Sequence, residues 1–377
     1  MIKKTNKFRQ LLFIPVLFFI AFSAFAGEPA EKDNNAVAQN VSGAEPKQEK
    51  FNAGELIIDH ISDSHEWHIA GTIVVPLPII LYSKERGFDC FFSNKLEHGQ
   101  KTYNGYMLQH NHIVAVNEME AVAAQDASVN AEITGNLWDI SITKNVTAML
   151  VSVILMLWMF ISVAKTYRQN QGKAPKGMQS LLEPLIIFVR DDIAKSAIGE
   201  KKYKRYLPFL LTVFFFIWIN NLLGLIPIAP FGANVTGNVA ICLTLAVMVF
   251  VITIVSSNKN YWRHIIAMPG VPIGVLVLLT PIEIFGMFLK PFVLMIRLFA
   301  NMLAGHIIAL SFFSLIFIFG EMNVALGFGV SILSIAFTIF MGMLELLVAF
   351  LQAYVFTLLA AMYFGMATEE HHHEEAH

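Results

Sequence analysis

The chain is poor in charge: only 14% of its 377 residues are Asp, Glu, Lys or Arg, and 56% are hydrophobic. A soluble domain carries roughly 25% charged residues, so the deficit argues for a membrane protein. A net charge of -2 gives no global basic field for nucleic acid. Two cysteines, Cys90 and Cys242, are too few and too far apart for a disulfide framework or a C-x-x-C site. The long apolar runs hold a single histidine, His306, where a haem between helices usually takes two axial ligands. No G-x-x-x-x-G-K-[ST] or G-x-S-x-G run occurs, which removes nucleotide hydrolysis and serine-nucleophile hydrolysis by those local motifs. No cofactor is expected.

The charge that is present organises the chain. Residues 1–26 have a basic start (Lys3, Lys4, Lys7, Arg9), an apolar stretch and Ala24-Phe25-Ala26 before Gly27. The apolar stretch, about a dozen residues, is shorter than the ~20 a span requires, so this reads as a signal peptide. Residues 27–137 carry sixteen Asp/Glu against seven Lys/Arg. Within them, 27–50 reads as a disordered linker. Residues 51–137 read as an external, partly β region, with Thr72-Ile73-Val74-Val75 and His112-Ile113-Val114-Ala115-Val116 as strand candidates. His60, His65 and His68 flank Asp59, Asp63 and Glu66. Their spacing matches no common zinc pattern, and a solvated or capping segment is the reading adopted.

From residue 138 to 377 the chain reads as an all-α polytopic membrane domain of five transmembrane helices. Apolar runs at 146–164, 207–226 and 239–255 give three spans. Residues 165–205 carry ten Lys/Arg and 227–238 carry none, which places the first loop in the cytoplasm and the second outside. Export of the N-terminus requires the same orientation. Ser180-Leu181-Leu182-Glu183 matches a capping box. Leu181, Leu185, Val189 and Ile193 follow at helical spacing, so an amphipathic helix is expected on the inner surface, against lipid or a partner protein. Lys201, Lys202, Lys204 and Arg205 are expected at lipid headgroups. The runs 281–319 and 324–366 are each roughly twice a normal ~20-residue span, so two long tilted helices are expected, the first kinked at Pro291. The tail 369–377 is then cytoplasmic and solvent-exposed.

Ionisable side chains inside these helices mark function by default. Glu283, Lys290, Arg297 and Glu345 lie deep in them, with Asn301, His306 and Gln352. Lys290 reads as a snorkelling or paired charge. At ~1.5 Å per residue, Arg297 lies about 21 Å beyond Glu283 and His306 about 13 Å further. An antiparallel return then puts Gln352 level with Arg297 and Glu345 level with His306. At 100° per residue Glu283 and Arg297 fall about 40° apart, and His306 about 180° from Arg297. Two polar half-paths that do not align cannot form a continuous wire. Arginine keeps its proton, so Arg297 would block a leak while attracting a carboxylate on another subunit.

Leu289-Lys290-Pro291 followed by Arg297-Leu298-Phe299-Ala300-Asn301-Met302-Leu303-Ala304-Gly305 resembles the signature of subunit a of F-type rotary ATP synthases. So do Leu351-Gln352-Ala353-Tyr354-Val355-Phe356 and Met366-Ala367-Thr368-Glu369-Glu370-His371. The resemblance runs from about Trp138 to the C-terminus. It implies a non-catalytic stator subunit of the bacterial inner membrane that passes protons to and from a c-ring. Subunit b, the other synthase subunits and membrane lipid would be its partners. It further implies that Arg297 is the stator arginine, that Asn301 and Gln352 stand beside it, and that Glu283 serves the cytoplasmic half-channel. His306 and Glu345 exchange the Glu and His that bacterial members often carry at those two positions, so an outer relay is implied by the pair. Two other readings start from the same residues: a secondary transporter binding an anionic substrate at Arg297, and an envelope receptor anchored by the helices. No internal repeat supports the first, and the intramembrane ionisable residues count against the second.

Overall fold

A computed structural model describes residues 54, 57 and 62–369, except 71–72, 110, 118–122, 170–171, 173, 227–231, 267 and 269–270. The expected signal peptide, the linker, Asp59, His60 and the tail beyond Glu369 lie outside the described residues, as does the side chain of His68. The chain divides into two compact units. One holds the described residues up to Ala148 and those of Gly224–Ala233 and Ala309–Thr338; the other holds Met149–Leu223, Asn234–Ile308 and Ile339–His377.

The first unit contains seven short strands among the described residues. β1 (Glu66–Ala70) pairs antiparallel with β2 (Ile73–Pro76). β3 (Pro78–Ser83) lies between β4 (Gly87–Phe92) and β7 (Trp138–Asp139). β5 (Tyr106–Gln109) pairs with β6 (His112–Ala115). β2 and β6 fall on the two segments expected to be strands. Alternation along β3 sends Ile79 and Leu81 inward, where they pack with Phe91, Leu96, Tyr106, Ile113 and Ile133. Arg86 fixes the sheet turn from outside this core. Its guanidinium donates to the carbonyls of Gly105 and Val116, each at 2.6 Å, and lies over the Tyr106 ring. In the same unit the end of one long helix stacks Phe312 on Phe337 of the next, with ring centroids 5.1 Å apart.

Among the described residues, five helices are long and apolar enough to cross a bilayer: α1 (Lys144–Gln169), α3 (Tyr203–Gly224), α4 (Val239–Ser256), α6 (Ile273–Met322) and α7 (Val324–Thr368). Two shorter helices are α2 (Met178–Phe188) and α5 (Lys259–Ile266). The fold is that of a polytopic helical membrane protein carrying a small strand-rich part. α6 and α7 have 50 and 45 residues, about 75 and 68 Å at 1.5 Å per residue, against a hydrocarbon core of ~30 Å. Such helices lie oblique. α6 keeps its helical run through Pro281 and Pro291.

Two local expectations are corrected. α2 begins at Met178 behind Gly177, with no side-chain cap, so Ser180 sits inside the helix and the Ser180–Glu183 capping box does not form. The helix then passes into a π-helical segment, Val189–Lys195. Leu181, expected on the buried face, is exposed, while Leu182, Val189, Ile193 and Ala194 are wholly buried in the second unit's core. The π segment also gathers charge: Asp191 accepts from Arg190 at 2.9 and 2.7 Å and pairs with Lys195 at 2.9 Å. These donors hold its carboxyl well below the usual range.

Candidate functional site

In the second unit α6 and α7 run antiparallel, with only Asn323 between them. Leu294, Met295 and Leu298 of α6 share one buried cluster with Ala353, Phe356 and Ala360 of α7. This packing sets which polar side chains can meet. A methyl group at Gly305 would stand 2.6 Å from Oε1 of Glu345. The Glu345 carboxylate therefore lies directly on the α6 backbone at the residue before His306. The depth arithmetic for that pair holds. Counting eight residues inward along both helices from Gly305 and Glu345 brings Arg297 level with Ala353, the neighbour of Gln352.

The remaining site residues divide by face. Arg297 and Asn301 are exposed, one helical turn apart, with exposed Ala300 and Ala304 beside them. Arg297 forms no ion pair among the described residues. Gln352 is buried, facing into the helix cluster rather than onto that stripe. Glu283 is half-buried. Its charge acts on Tyr261 of α5, whose phenol is raised above its ordinary pKa by burial first and by Glu283 second. Lys290 sits 5.6 Å from the centre of the Tyr363 ring, a cation–π contact that gives this charge a structural partner. Tyr261, Lys290 and Tyr363 line one small cleft with Thr253 and Met287. Among the described residues no group of three or more His, Cys, Asp and Glu could hold a metal ion.

Sequence reasoning missed a second polar layer. The Asn221 side-chain amide donates to the Ala349 carbonyl at 3.3 Å, and its oxygen accepts from Thr236 at 2.5 Å. Ala349 is one turn from Glu345. Asn220 donates to the Phe216 carbonyl at 2.7 Å, while its oxygen and both amide atoms of Asn234 are buried without a protein partner. Buried polar atoms of this kind are ordinarily satisfied by water. The adjacent pair Asn220-Asn221 inside an apolar span was the available signal. Lys202 also departs from expectation: it donates to the Thr368 carbonyl at 2.6 Å instead of extending to headgroups.

A polytopic helical membrane protein whose two longest helices carry ionisable and amide side chains at mid-length is the class defined here. The profile of the ATP synthase A chain family matches residues 146–365, more than half of the chain, and the chain belongs to that family. A further profile, a domain of unknown function designated DUF8433, matches residues 56–140. ATP synthase subunit a of Chloroherpeton thalassium is 42% identical over 247 residues, covering 64% of this chain and 71% of the relative. ATP synthase subunit a 2 of Chlorobaculum tepidum is 46% identical over 246 residues, covering 64% and 66%. For ATP synthase subunit a of Myxococcus xanthus the identity is 43% over 246 residues, covering 63% and 77%.

Proposed function

We propose that this chain is the stator proton-channel subunit of a rotary ATP synthase, with two offset half-channels that serve the carboxylates of a c-ring. Subunit b and the other synthase subunits are its partners. It has no catalytic site of its own. It is a multi-pass protein of a bacterial inner membrane, exported behind a signal peptide, with the strand-rich part periplasmic and the C-terminus cytoplasmic. The observation that carries the reading is Arg297: a charge on an exposed stripe of a membrane-spanning helix, beside small side chains, without an ion pair among the described residues. A guanidinium so placed is costly unless another chain supplies the counter-charge. A carboxylate at ~4 Å would gain about 4 kcal/mol at an effective dielectric of ~20. That attraction favours its ionised form as it passes.

His306 and Glu345 serve the outer path as one relay unit, and Asn221 and Thr236 lie one turn from Glu345 to support it. Glu283, next to Tyr261, serves the inner path. Asn301 stands beside the arginine on its exposed stripe, and Gln352 is buried on α7 near the same level. Arg297 holds its proton at any working pH, so the two paths communicate only through the moving carboxylate. The test is a photo-crosslinker placed at Ala304 of the assembled complex in native membranes. Capture of the small ring-forming subunit is expected, and none from Ile154 on the exposed face of α1. Capture of lipid alone at Ala304 would remove the ring from this surface.

A further inference from the structure

The outer face of the sheet β4-β3-β7 is apolar, and among the described residues only the inner face is covered. Ile79, Leu81 and Phe91 fill the core on the inner side. On the outer side the register places Phe88 opposite Tyr82 and Tyr82 opposite Trp138, one aromatic row across three strands. The next row sets Cys90 opposite Ile80, and Ile140 donates its backbone N–H to the Ile80 carbonyl at 2.9 Å. Phe92 follows in the third row. Phe88, Trp138, Ile140 and Phe92 are each more than half exposed, and Tyr82 nearly so. No charged side chain stands in these rows. With 150–250 Å² per aromatic side chain, the bare surface is roughly 600 Å², at the upper end of what soluble monomers expose.

What covers this face follows from how the sheet is anchored. Asp63, just before β1, accepts the backbone N–H of Asn145 at 3.0 Å and the Thr143 hydroxyl at 2.8 Å. Lys144 donates its N–H to the Ser64 carbonyl at 2.9 Å. The first turn of α1 is thus capped by a residue some eighty positions away. His65 binds Asp139 of β7 at 3.1 Å, and the Ser141 hydroxyl accepts the Ile80 N–H at 3.0 Å. Sheet and helix start form one hydrogen-bonded assembly. The apolar part of the span begins at Val146, and Trp138 lies within about 26 Å of extended chain from it. Tyrosine and tryptophan concentrate at the membrane–water boundary because each has an apolar body and a polar tip.

We infer that the outer face of β4-β3-β7 rests in the lipid headgroup–acyl boundary of the leaflet where α1 begins, so that the strand-rich part lies on the membrane surface as an extension of the first span. The inference rests on α1 crossing the bilayer and not on the ion path. Cys90 provides the probe, since it is exposed in the middle row while Cys242 is buried. A nitroxide is attached to Cys90 in the assembled complex, reconstituted into phospholipid vesicles. Its collision rates with oxygen and with a water-soluble nickel chelate are compared. Oxygen collisions several-fold above chelate collisions are expected. Collisions favouring the chelate would put the face in water and overturn the inference. Shielding from both reagents would mean a protein partner, and would overturn it equally. A label-free second measurement uses lipids brominated near the headgroup: quenching should be smaller in Trp138→Phe than in the native chain, and equal quenching of the two contradicts the placement.

Discussion

Gly305 is the residue on which the proposed outer path turns. Any side chain there meets the far end of Glu345, which can swing away, so Gly305→Ala should leave the fold and assembly intact while displacing the carboxylate from His306. Misplacements of about 1 Å at a reacting group cost up to ~100-fold in rate. Proton flux through vesicles containing equal amounts of complex should fall about tenfold or more. Flux at the native level would mean that the contact of Glu345 with α6 is packing only. The depth of this pair was legible in the sequence, because helix rise converts residue number to height once two spans are known to be antiparallel. The facing of Gln352 was not. Being level with Arg297 says nothing about which side of α7 is buried, and that depends on Phe356 and Ala360 packing against α6. Asn221 and Thr236 escaped for a related reason: their meeting with Ala349 joins three separate stretches of chain.

At the scale of elements, the height of α7 is set at its inner end. Lys202 and Asn258 both donate to the Thr368 carbonyl, at 2.6 and 3.1 Å, and Asn258 donates its N–H to the Ala367 carbonyl at 2.9 Å. These are the last carbonyls of the helix, left without intrahelical donors, and a cation is favoured there. One turn earlier, Gly365 leaves no room for a Cβ against the Ala197 carbonyl, so the turn Ser196–Ile198 that follows the π-helical segment meets α7 backbone to backbone. Lys202→Met should cost about 1–2 kcal/mol locally, seen as roughly tenfold faster hydrogen exchange over the last turns of α7. Unchanged exchange would show the end held by packing alone. The five spans were legible because an apolar run of sufficient length has no soluble alternative. The π turn was not, since an i→i+5 step leaves no mark in composition.

At the scale of the whole molecule, the two units stand on different physics. The membrane unit is held by apolar packing that hardly depends on pH. The strand-rich unit includes a titratable joint: burial disfavours the Asp139 carboxylate, but hydrogen bonds from His65 and Ser141 outweigh it and lower its pKa. A carboxyl with a folded pKa below its unfolded one contributes stability above the unfolded value, and loses it as pH falls through the folded one. The strand-rich unit should therefore weaken on acidification below about pH 4, and Asp139→Asn should flatten that dependence. Tyrosine fluorescence of this unit during acid titration reads it; an identical titration in the variant would assign the acid sensitivity elsewhere. The extent of this unit was only half legible. β2 and β6 were readable as strands from β-branched runs, whereas β3 and β4 alternate between a core and an exposed aromatic face and carry no polar period. The central claim concerns the other unit, where one guanidinium separates two ion paths. Its most direct test is ATP-driven proton pumping by the complete complex bearing Arg297→Ala, reconstituted in vesicles beside the native complex, with ATP hydrolysis by the detached catalytic subunits measured in parallel. The account predicts pumping abolished and hydrolysis by the detached subunits retained; pumping at the native rate would contradict it.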